Sequence, residues 1–562
     1  MNKAIPIGYE DFKQIIDKDL YYVDKTLMIK ELIDGETLVN LFTRPRRFGK
    51  TLNLSMIRRF FEDERTEQGQ RIDNRYLFDG LAIAGAGERY TAVRQQYPVI
   101  SLSLKSARQP NYQMAYESLL DEIVKEYKRH RYILTEDMAL EKEQYLRIMN
   151  KDAKPIEYAK ALEFLSQCLA RYPQKNTIIL IDEYDVPLEN AYFAGFYDQM
   201  IAFISSLFES ALKTNASLEF GVITGCLRIS KESIFTGLNN LKINSVTSNS
   251  YGDAFGFLQE EVDQMLDFYG ISGKREEVKS WYDGYRFGSW EIYNPWSIIN
   301  YVDETAKDDT QFPKPYWSNT SSNSIIREMV EEADSATRKE LEVLIEGGTV
   351  EKPVHEDLTY EDIHESTDNL WNFLFFTGYL KECGKRQIEE QIYLQLSIPN
   401  KEIRSVYRQS ILTWFDKKLR RTDRRPLLTA LEEGDCESAA DFVSDLLMGT
   451  ISFFDYGENY YHGFLAGLLA GFDEYEILSN RESGIGRADL ILRTMRVRMG
   501  KAIILEVKVA QKVSEMKKKC QDALSQIEEN RYEENLRNEG YPSVEKYGIC
   551  FYRKECMIMK AD

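Results

Sequence analysis

Several features that define other classes of protein are scarce in this chain. It has only four histidines, and its seven cysteines are scattered with no CxxC pair. The chain has few histidines for a histidine-based triad and no cysteine pair for a zinc site. Its cysteines are expected to be free thiols, as in a reducing cytoplasm. The longest apolar stretches, such as residues 464–472, fall well short of the ~20 residues that span a bilayer. The N-terminus has no apolar secretory segment, so we expect a cytoplasmic protein without membrane contact.

Positive charge is also in short supply. The 72 Lys and Arg residues are outnumbered by 91 Asp and Glu, which gives a net charge of −19. Such a chain has no general attraction to nucleic acid, because phosphate binding depends on local Lys and Arg. The deficit is uneven, since residues 441–562 carry 17 basic and 20 acidic side chains, a net of −3, and residues 1–440 carry −16. A nucleic-acid surface is therefore expected in the C-terminal segment.

Apolar runs separated by helical spacing organise the first part of the chain. Continuous apolar runs of this length are typical of strands covered on both faces. The predicted strands are 37–42, 97–104, 177–182 and 218–224. Helical periodicity lies between them, at 116–132 and 159–172. This alternation predicts an α/β fold with a doubly wound parallel sheet over residues 1–254.

The remainder of the chain divides into two further regions. Residues 255–440 have a mostly helical pattern, and the charged stretch 420–426 is a candidate linker. Residues 441–562 predict a separate C-terminal α/β domain. Its predicted elements after the first helices are a strand–turn–strand at 486–509, a helix at 512–532 and a strand at 547–552.

A phosphate-binding loop is predicted where the first strand meets the first long helix. Residues 43–51 read TRPRRFGKT, and such a loop turns backbone N–H groups and a helix N-terminus toward phosphate oxygens. Lys50 would reach the β- and γ-phosphates, and the Thr51 hydroxyl would bind Mg²⁺. Arg44 stands where such loops usually have their first glycine, and we expect Arg44, Arg46 and Arg47 to add positive charge. The candidate nucleotide-binding residues of the loop are Arg47, Phe48, Gly49, Lys50 and Thr51.

Acidic residues at the end of a later strand supply the second half of this site. The run 178–183 is an apolar strand ending in Asp182 and Glu183. Asp182 is expected in the Mg²⁺ shell, and Glu183 is placed to orient or deprotonate an attacking water. Thr224 ends the next strand and suits a γ-phosphate sensor, while Arg228 could stabilise charge in cis or in trans. A purely structural role is an equal alternative for these last two. The expected cofactors are ATP and Mg²⁺.

A second cluster of chemistry-bearing residues lies near the C-terminus. Asp489 and Glu506 are separated by sixteen residues, which fits a hairpin, and Glu506 and Lys508 share one face of the second strand. Two carboxylates suit Mg²⁺ or Mn²⁺, and Lys508 could position a nucleophile or the transition state. A pattern of this kind also arises by chance in amphipathic strands, so position in the chain has to support it.

Residues on either side of this cluster are candidates to complete it. Glu458 and His462 share a helix face, and Glu458 is a candidate third metal ligand, with a solvated helix-start acid as the alternative. Gln526 and Tyr532 belong to the helix expected beside the site. The triple lysine 517–519 could touch backbone phosphate, although such a run is more often a solvated face.

Extended motifs connect these two sites to a known family. The segments that carry the resemblance are 22–26 (YVDKT), 44–52 (RPRRFGKTL), 182–185 (DEYD), 228–235 (RISKESIF), 281–285 (WYDGY), 293–296 (YNPW) and 316–320 (YWSNT). They resemble the AAA-ATPase-like proteins of bacteria and archaea that carry a PD-(D/E)XK nuclease domain. The altered phosphate loop is typical of that family. The Asp489, Glu506 and Lys508 pattern likewise resembles the PD-(D/E)XK core, with Gly-Arg-Ala-Asp in place of Pro-Asp.

The resemblance implies a P-loop NTPase domain, a helical middle region and a C-terminal nuclease-like domain. The expected function is an ATP-binding, ATP-hydrolysing protein that controls a metal-dependent nuclease. The alternative is an ATP-regulated switch or scaffold whose nuclease fold is inactive. The expected partners are nucleic acid, DNA in the first place, and further copies of this chain in an ATP-dependent homo-oligomer.

Overall fold

The computed structural model divides the chain into two compact units. The first comprises Met1–Thr320 and Thr349–Ser405, and the second comprises Ser321–Gly348 and Val406–Asp562. The predicted middle region, 255–440, is thus shared between them, and the three predicted domain ranges stay a prediction. The residues that the structure describes are 3–135, 138, 140–172, 174–228, 240–319, 326, 333–355, 366–448, 458–470, 472, 474–479, 489–495 and 500–561.

A five-stranded sheet forms the centre of the first unit. Its strands are β1 (Val39–Thr43), β2 (Val99–Ser103), β3 (Thr177–Asp182), β4 (Leu218–Gly225) and β5 (Leu241–Asn244). Their order is β2-β3-β4-β1-β5, and every neighbouring pair is parallel. Both β1 and β3 are buried along their whole length, which explains their continuous apolar sequence. The four predicted strands are confirmed, and their carboxyl ends meet at one edge, where such sheets bind ligands.

Helices surround this sheet and the rest of the first unit. The longer ones bury an apolar stripe, as in Ala161–Arg171, where Leu162, Leu165 and Leu169 are buried at helical spacing. The helices of this unit are Phe12–Asp17, Leu27–Gly35, Lys50–Phe61, Glu88–Thr91, Tyr112–Arg129, Lys142–Met149, Pro155–Ala159, Ala161–Arg171, Val186–Ala194, Tyr197–Phe208, Gln259–Phe268, Arg275–Tyr282, Pro295–Lys307 and Thr367–Phe376.

The later part of the first unit also contains five strands that the helical expectation missed. A hairpin pairs β6 (Tyr285–Phe287) with β7 (Trp290–Ile292). An antiparallel sheet joins β8 (Val350–Pro353), β9 (Lys381–Ile388) and β10 (Gln391–Ser397) in the order β8-β10-β9. Strand β9 is largely exposed and rich in charge, so it has no apolar period from which a strand could be predicted.

A second five-stranded sheet organises the second unit. Its strands are β11 (Tyr475–Ser479), β12 (Leu490–Thr494), β13 (Lys501–Val509), β14 (Ser543–Tyr552) and β15 (Glu555–Lys560). They lie in chain order, with β13 and β14 parallel and the other pairs antiparallel. The helices of this unit are Ser335–Ile345, Arg425–Glu433, Cys436–Met448, Glu458–Leu469, Met516–Glu529 and Tyr532–Glu539.

One helix packs on the sheet of this unit, and another continues along the chain from the first unit into the second. The helix Met516–Glu529 packs so closely on β14 that a Cβ at Gly548 would lie 2.2 Å from the Cys520 carbonyl oxygen. The helix Lys401–Arg421 begins in the first unit and continues into the second. The α/β fold with a parallel N-terminal sheet is confirmed. Among the helices of the described ranges, none is long and apolar enough to cross a membrane.

Candidate functional sites

The loop between β1 and the helix Lys50–Phe61 has the backbone of an anion-binding turn. Arg47 and Gly49 adopt left-handed conformations with φ of 69° and 84°, and the helix starts directly after Gly49. The first N–H groups of a helix have no partner inside it, so a helix start of this kind offers donors to a phosphate. The sequence-based prediction of a turn at this position is met.

The ammonium of Lys50 lies inside this loop. Its Nζ donates to the carbonyl oxygens of Arg44 and Pro45 at 2.8 and 2.9 Å, and it lies 3.6 Å from the Cys226 Sγ. Burial raises the pKa of the Cys226 thiol to about 11, so this neighbour is uncharged at neutral pH. Lys50 is itself buried, and its charge is available to an anionic ligand at the loop.

Asp182 is the centre of the hydrogen-bond network at the sheet edge. Its Oδ2 accepts from the Thr51 hydroxyl at 2.7 Å, and its Oδ1 accepts from the Thr224 hydroxyl. Asp182 ends β3, Thr224 lies near the end of β4, and Thr51 lies in the first turn of the helix that follows β1. Strand β4 lies between β3 and β1. The structure therefore brings together three residues that lie far apart in the sequence. A carboxylate and two hydroxyls are hard oxygen groups of the kind that Mg²⁺ prefers, so this set fits the expected cation.

Glu183 occupies an unusual backbone position beside Asp182. Its φ of 53° is left-handed, which for a residue with a side chain costs about 1–2 kcal/mol. The Glu183 N–H donates to the Thr224 hydroxyl at 3.4 Å, which holds this conformation. Burial, and then the neighbouring Asp182 charge, raise the pKa of the Glu183 carboxyl. A raised pKa makes a carboxylate a stronger base, which suits the predicted role of orienting or deprotonating a water.

The three arginines of the loop are each held by other parts of the first unit. Arg44 is fully buried, and its guanidinium donates to the carbonyl oxygens of Thr43, Asn244 and Tyr251 at 3.0, 2.7 and 3.4 Å. The expectation that Arg44 adds charge toward a phosphate is therefore wrong, because this side chain braces the ends of β1 and β5. Arg44 stands where such loops usually have a glycine, and its hydrogen bonds fix the loop from the side of β1 and β5.

Arg46 and Arg47 anchor the loop on its other sides. Arg46 forms an ion pair with Glu189 of the helix Val186–Ala194. Arg47 Nη1 donates to the Tyr316 carbonyl oxygen at 3.0 Å, and its guanidinium lies 4.4 Å from the centre of the Trp296 ring. Phe48 is buried against the rings of Tyr285 and Phe287. The loop is thus preorganised by its side chains.

The segment after β4 is fixed by the two residues that follow Glu183. Asp185 accepts from the backbone N–H groups of Cys226 and Leu227 at 2.6 and 3.2 Å, and the Tyr184 hydroxyl donates to the Leu227 carbonyl oxygen. These contacts position the start of the segment that leads to Arg228, which is partly buried. In the motif 182–185, Tyr184 and Asp185 therefore have a structural role, since they fix the segment after β4. A sensor role for Arg228 stays a prediction.

Lys105 is a residue at this edge that the motifs did not indicate. It follows β2, where the Leu104 N–H donates to the Asp182 carbonyl oxygen at 3.0 Å. A hydrogen bond to Glu10, and the nearby charges of Glu183 and Asp182, raise the pKa of the Lys105 ammonium. Only the position of this lysine after a core strand could have singled it out.

The C-terminal cluster is assembled across the hairpin of β12 and β13, as the spacing predicts. Leu490 pairs with Leu505, so Asp489 lies opposite Glu506. The Val507 N–H donates to Asp489 Oδ2 at 2.9 Å, and the Asp489 N–H approaches Glu506 Oε2 at 3.3 Å. Lys508 Nζ lies 3.3 Å from Glu506 Oε1. The two carboxylates and the ammonium are therefore in one place.

Glu506 carries the strongest electrostatic perturbation of this cluster. Its side chain is 1% exposed. Burial, and then the like charge of Asp489, raise the pKa of Glu506 to about 7, although Lys508 opposes the change. A divalent cation between two close carboxylates would remove this repulsion, so the pair fits the expected Mg²⁺ or Mn²⁺.

The other predicted members of this site are placed around the pair. The Glu458 side chain is 51% exposed, and its Oε1 lies 3.7 Å from Lys508 Nζ. His462 Nε2 lies 2.7 Å from the Asp489 carbonyl oxygen, so it orients the backbone of Asp489. Burial and the charge of Glu506 raise the pKa of Tyr532, whose hydroxyl accepts from the Asn530 side chain at 2.9 Å. Within the described ranges, no three His, Cys, Asp or Glu residues are grouped closely enough to hold a metal.

The fold and the two sites define a chain with a phosphate-loop α/β unit and a second unit built around a paired-carboxylate hairpin. Residues 6–235 match the family described as "Predicted AAA-ATPase", and residues 456–561 match the PD-(D/E)XK nuclease superfamily. The chain therefore combines an AAA-ATPase-like region with a PD-(D/E)XK nuclease superfamily region, in the arrangement that its motifs imply.

Two individual proteins are also similar to this chain. One is the "Uncharacterized protein in vnfD 5'region" of Azotobacter chroococcum mcd 1, which is 26% identical over 414 residues, 73% of this chain and 70% of the relative. The other is a chain in the structure of Drosophila ORC bound to AT-rich DNA and Cdc6, at 9% identity and a TM-score of 0.18, covering 72% of this chain and 91% of that one. A TM-score of that size says nothing about shared structure or function.

Proposed function

We propose that this protein binds ATP with Mg²⁺, hydrolyses it slowly, and thereby controls a metal-dependent nuclease in its second unit that acts on nucleic acid, DNA in the first place. One observation above all supports this: Glu506 is buried opposite Asp489 and beside Lys508, on the same chain as a preorganised phosphate loop. Burying a carboxylate opposite a like charge is costly, and a bound divalent cation would offset that cost.

In the first unit, each residue has a separate task toward ATP. Lys50 and the N–H groups of the loop hold the phosphates, while Arg44 and Arg46 keep the loop in shape. Thr51 and Asp182 would hold Mg²⁺, and Thr224 fixes the orientation of the Asp182 carboxylate. Glu183 would orient the attacking water and accept its proton. Arg228 follows β4 and suits a sensor of the γ-phosphate.

In the second unit, Asp489 and Glu506 would hold the cation at the hairpin. A bound divalent cation supplies a Lewis acid that lowers the pKa of a water and stabilises charge on the scissile phosphate. Lys508 is kept on the same strand face and would position the attacking water. His462 holds the Asp489 backbone. Lys517 and Lys518 are exposed on the adjoining helix and suit contacts to backbone phosphate.

Metal binding and cleavage can be measured together on the full chain. Manganese binding is followed by calorimetry, and cleavage of single-stranded and duplex DNA and of RNA is followed on gels with Mg²⁺ or Mn²⁺. The proposal expects cleavage that chelation by EDTA abolishes and that Asp489→Asn removes. A wild-type protein that neither binds manganese nor cleaves any of these substrates would overturn the nuclease half.

A second candidate function has one observation in its favour. Glu458, the predicted third ligand, is half exposed and lies next to Lys508, and the described ranges contain no three-residue metal group. An ATP-regulated scaffold with an inactive nuclease fold would have such an incomplete site. This candidate expects no cleavage with any metal, together with nucleic-acid binding that is unchanged in Asp489→Asn.

The proposed setting of the protein is the cytoplasm, with ATP-dependent assembly of several copies. All seven cysteines are free thiols, which suits a reducing compartment. Arg228 lies beyond the end of β4 and could complete the site of a neighbouring copy. Light scattering should therefore give a larger mass with ATP than without it, and an identical mass would count against assembly.

A further inference from the structure

One peptide unit links the phosphate loop to a buried carboxylate that the proposed chemistry does not use. The carbonyl oxygen of Tyr316 accepts from Arg47 Nη1 at 3.0 Å and from the Trp296 indole N–H at 3.3 Å. The N–H on the other side of the same peptide bond, that of Trp317, donates to Glu402 Oε1 at 2.9 Å. A cation therefore faces one end of this peptide group and a carboxyl group faces the other.

Glu402 is held in this place by dedicated partners. It is fully buried, and the Ser297 hydroxyl lies 3.0 and 2.8 Å from its two oxygens. Burial raises the pKa of Glu402 to about 7, and the nearby charge of Arg47 is among the influences that lower it. The charge on this carboxyl group therefore depends on where the Arg47 guanidinium lies.

The position of Glu402 in the chain determines which helix this contact can affect. Glu402 is the second residue of the helix Lys401–Arg421. Within this helix, between Ser405 and Val406, the chain passes from the first unit into the second. A negative charge at a helix N-terminus stabilises the first turn. Whatever changes the charge on Glu402 therefore changes the stability of the segment that leads to the nuclease region.

We infer that Arg47 is a nucleotide sensor, which exchanges the Tyr316 carbonyl oxygen for a phosphate of ATP and thereby loosens the contact of the Tyr316–Trp317 peptide with Glu402 at the start of the connecting helix. This inference rests on the proposed ATP binding and states how that binding acts on the connecting helix. A charged phosphate is a stronger acceptor for a guanidinium than a neutral carbonyl, so ATP competes for Arg47. Loss of the cation at one end of a polarised peptide weakens the hydrogen bond at its other end.

Hydrogen exchange of backbone amides on the full chain tests this inference. The wild type is compared with and without saturating Mg²⁺-ATP, and ATP binding is measured in parallel by calorimetry. ATP should speed the exchange of the Trp317 amide and of the amides in 402–408 by roughly threefold or more. Glu402→Gln should keep ATP affinity within about twofold of wild type but lose this acceleration. Trp296→Phe removes a second donor to the Tyr316 carbonyl oxygen, so its acceleration should be at least as large as that of the wild type.

Glu304→Gln is the matched control. Glu304 also contacts Tyr316, but it accepts from the tyrosine hydroxyl at 2.9 Å, away from Arg47 and Glu402. This variant should respond to ATP as the wild type does. Having two test variants guards against one that fails to fold, since Trp296→Phe leaves the carboxyl group in place.

The possible results distinguish the inference about Arg47 from the proposed ATP binding. If the wild type binds ATP but the exchange of 402–408 does not change, the inference is overturned and the proposed function stands. A Glu402→Gln protein that responds like the wild type, or a Trp296→Phe protein that binds ATP without responding, also overturns it. If ATP does not bind the wild type at all, the proposed function fails first. Acceleration in the wild type, Trp296→Phe and Glu304→Gln, but not in Glu402→Gln, supports the inference.

Discussion

The nucleotide site depends on a small number of residues that hold each other in place. Asp182 binds two hydroxyls, Glu183 is kept in a left-handed conformation, and Lys50 is buried inside its own loop. None of these arrangements is favourable in isolation, because each costs backbone strain or desolvation. Such costs are typical of sites that are prepared for a ligand before it arrives.

Lys50 is predicted to supply much of the affinity for ATP. Lys50→Ala removes the ammonium that the loop carbonyl groups of Arg44 and Pro45 hold, while those groups remain. Mg²⁺-ATP binding should weaken at least about tenfold, which is about 1.4 kcal/mol. Titration calorimetry measures this, with Lys30→Ala as the control, since Lys30 is a partly exposed helix residue paired with Asp34. Equal affinity of Lys50→Ala and wild type would contradict the assignment.

Glu183 is predicted to act in hydrolysis and not in binding. Glu183→Gln keeps the size of the side chain but removes its ability to accept a proton. ATP turnover should fall about a hundredfold or more, while affinity changes by less than about twofold. Phosphate release and calorimetry give the two readouts, and Glu67→Gln at an exposed position is the control. Unchanged turnover in Glu183→Gln would show that another group activates the water.

Glu402 makes a prediction about pH. Burial raises its pKa to about 7, so between about pH 4.5 and 7 the folded protein holds a proton that the unfolded chain has lost. Stability must therefore fall as pH rises through this window, by up to about 3 kcal/mol. Glu402→Gln mimics the protonated form and removes this loss. Its thermal midpoint should exceed that of wild type at pH 8 and come close to it at about pH 4, below the unfolded pKa. The same difference at both pH values would disprove the assignment.

At the scale of elements, sequence predicts what is buried and periodic. The runs at β1, β3 and β4 are apolar because both faces are covered. Asp182 and Thr224, near the ends of β3 and β4, converge with Thr51, in the helix after β1, because parallel strands end at one edge. The hairpin of β12 and β13 follows from the sixteen-residue spacing. In each case one physical rule connects the pattern to the geometry.

Other elements carried no such signal. Strand β5 has four residues and includes Lys242, and β9 is mostly exposed and charged, so neither has the apolar pattern of a strand. The burial of Arg44 was not predictable either, because its acceptors on Asn244 and Tyr251 lie about two hundred residues away. Glu458 likewise lies 3.7 Å from Lys508, which is distant in the sequence. Long-range partners decide these features.

The hairpin predicts that its three polar residues act as one unit. Asp489→Asn and Glu506→Gln should each abolish cleavage and metal binding, and the double variant should be no worse than either. Lys508→Ala should abolish cleavage but keep metal binding, because an ammonium is not a ligand. Asn is preferred to Ala at 489, since the Val507 N–H would otherwise lose its acceptor, at a cost of about 1–3 kcal/mol.

Cleavage assays and manganese calorimetry check these variants, and Asp522→Asn is their control. Asp522 is an exposed carboxylate on the neighbouring helix Met516–Glu529. Retained cleavage in Asp489→Asn, or loss of metal binding in Lys508→Ala, would show that the roles are assigned wrongly.

At the scale of the whole molecule, the central claim is that one unit controls the other. The chain combines an AAA-ATPase-like region with a nuclease superfamily region, and the helix Lys401–Arg421 runs from one unit into the next. Control requires that ATP binding change the free energy of an element on which cleavage depends. Arg47 and Glu402 supply a physical path for such a change within the first unit.

The most direct test is the cleavage rate of the full-length protein on DNA with Mg²⁺ or Mn²⁺, measured with and without saturating ATP. The account predicts that ATP changes the wild-type rate by about tenfold or more. It also predicts that Lys50→Ala cleaves equally with and without ATP, and that Asp489→Asn does not cleave in either condition. A wild-type protein that binds ATP and cleaves DNA at one rate, whether or not ATP is present, would contradict the claim of control.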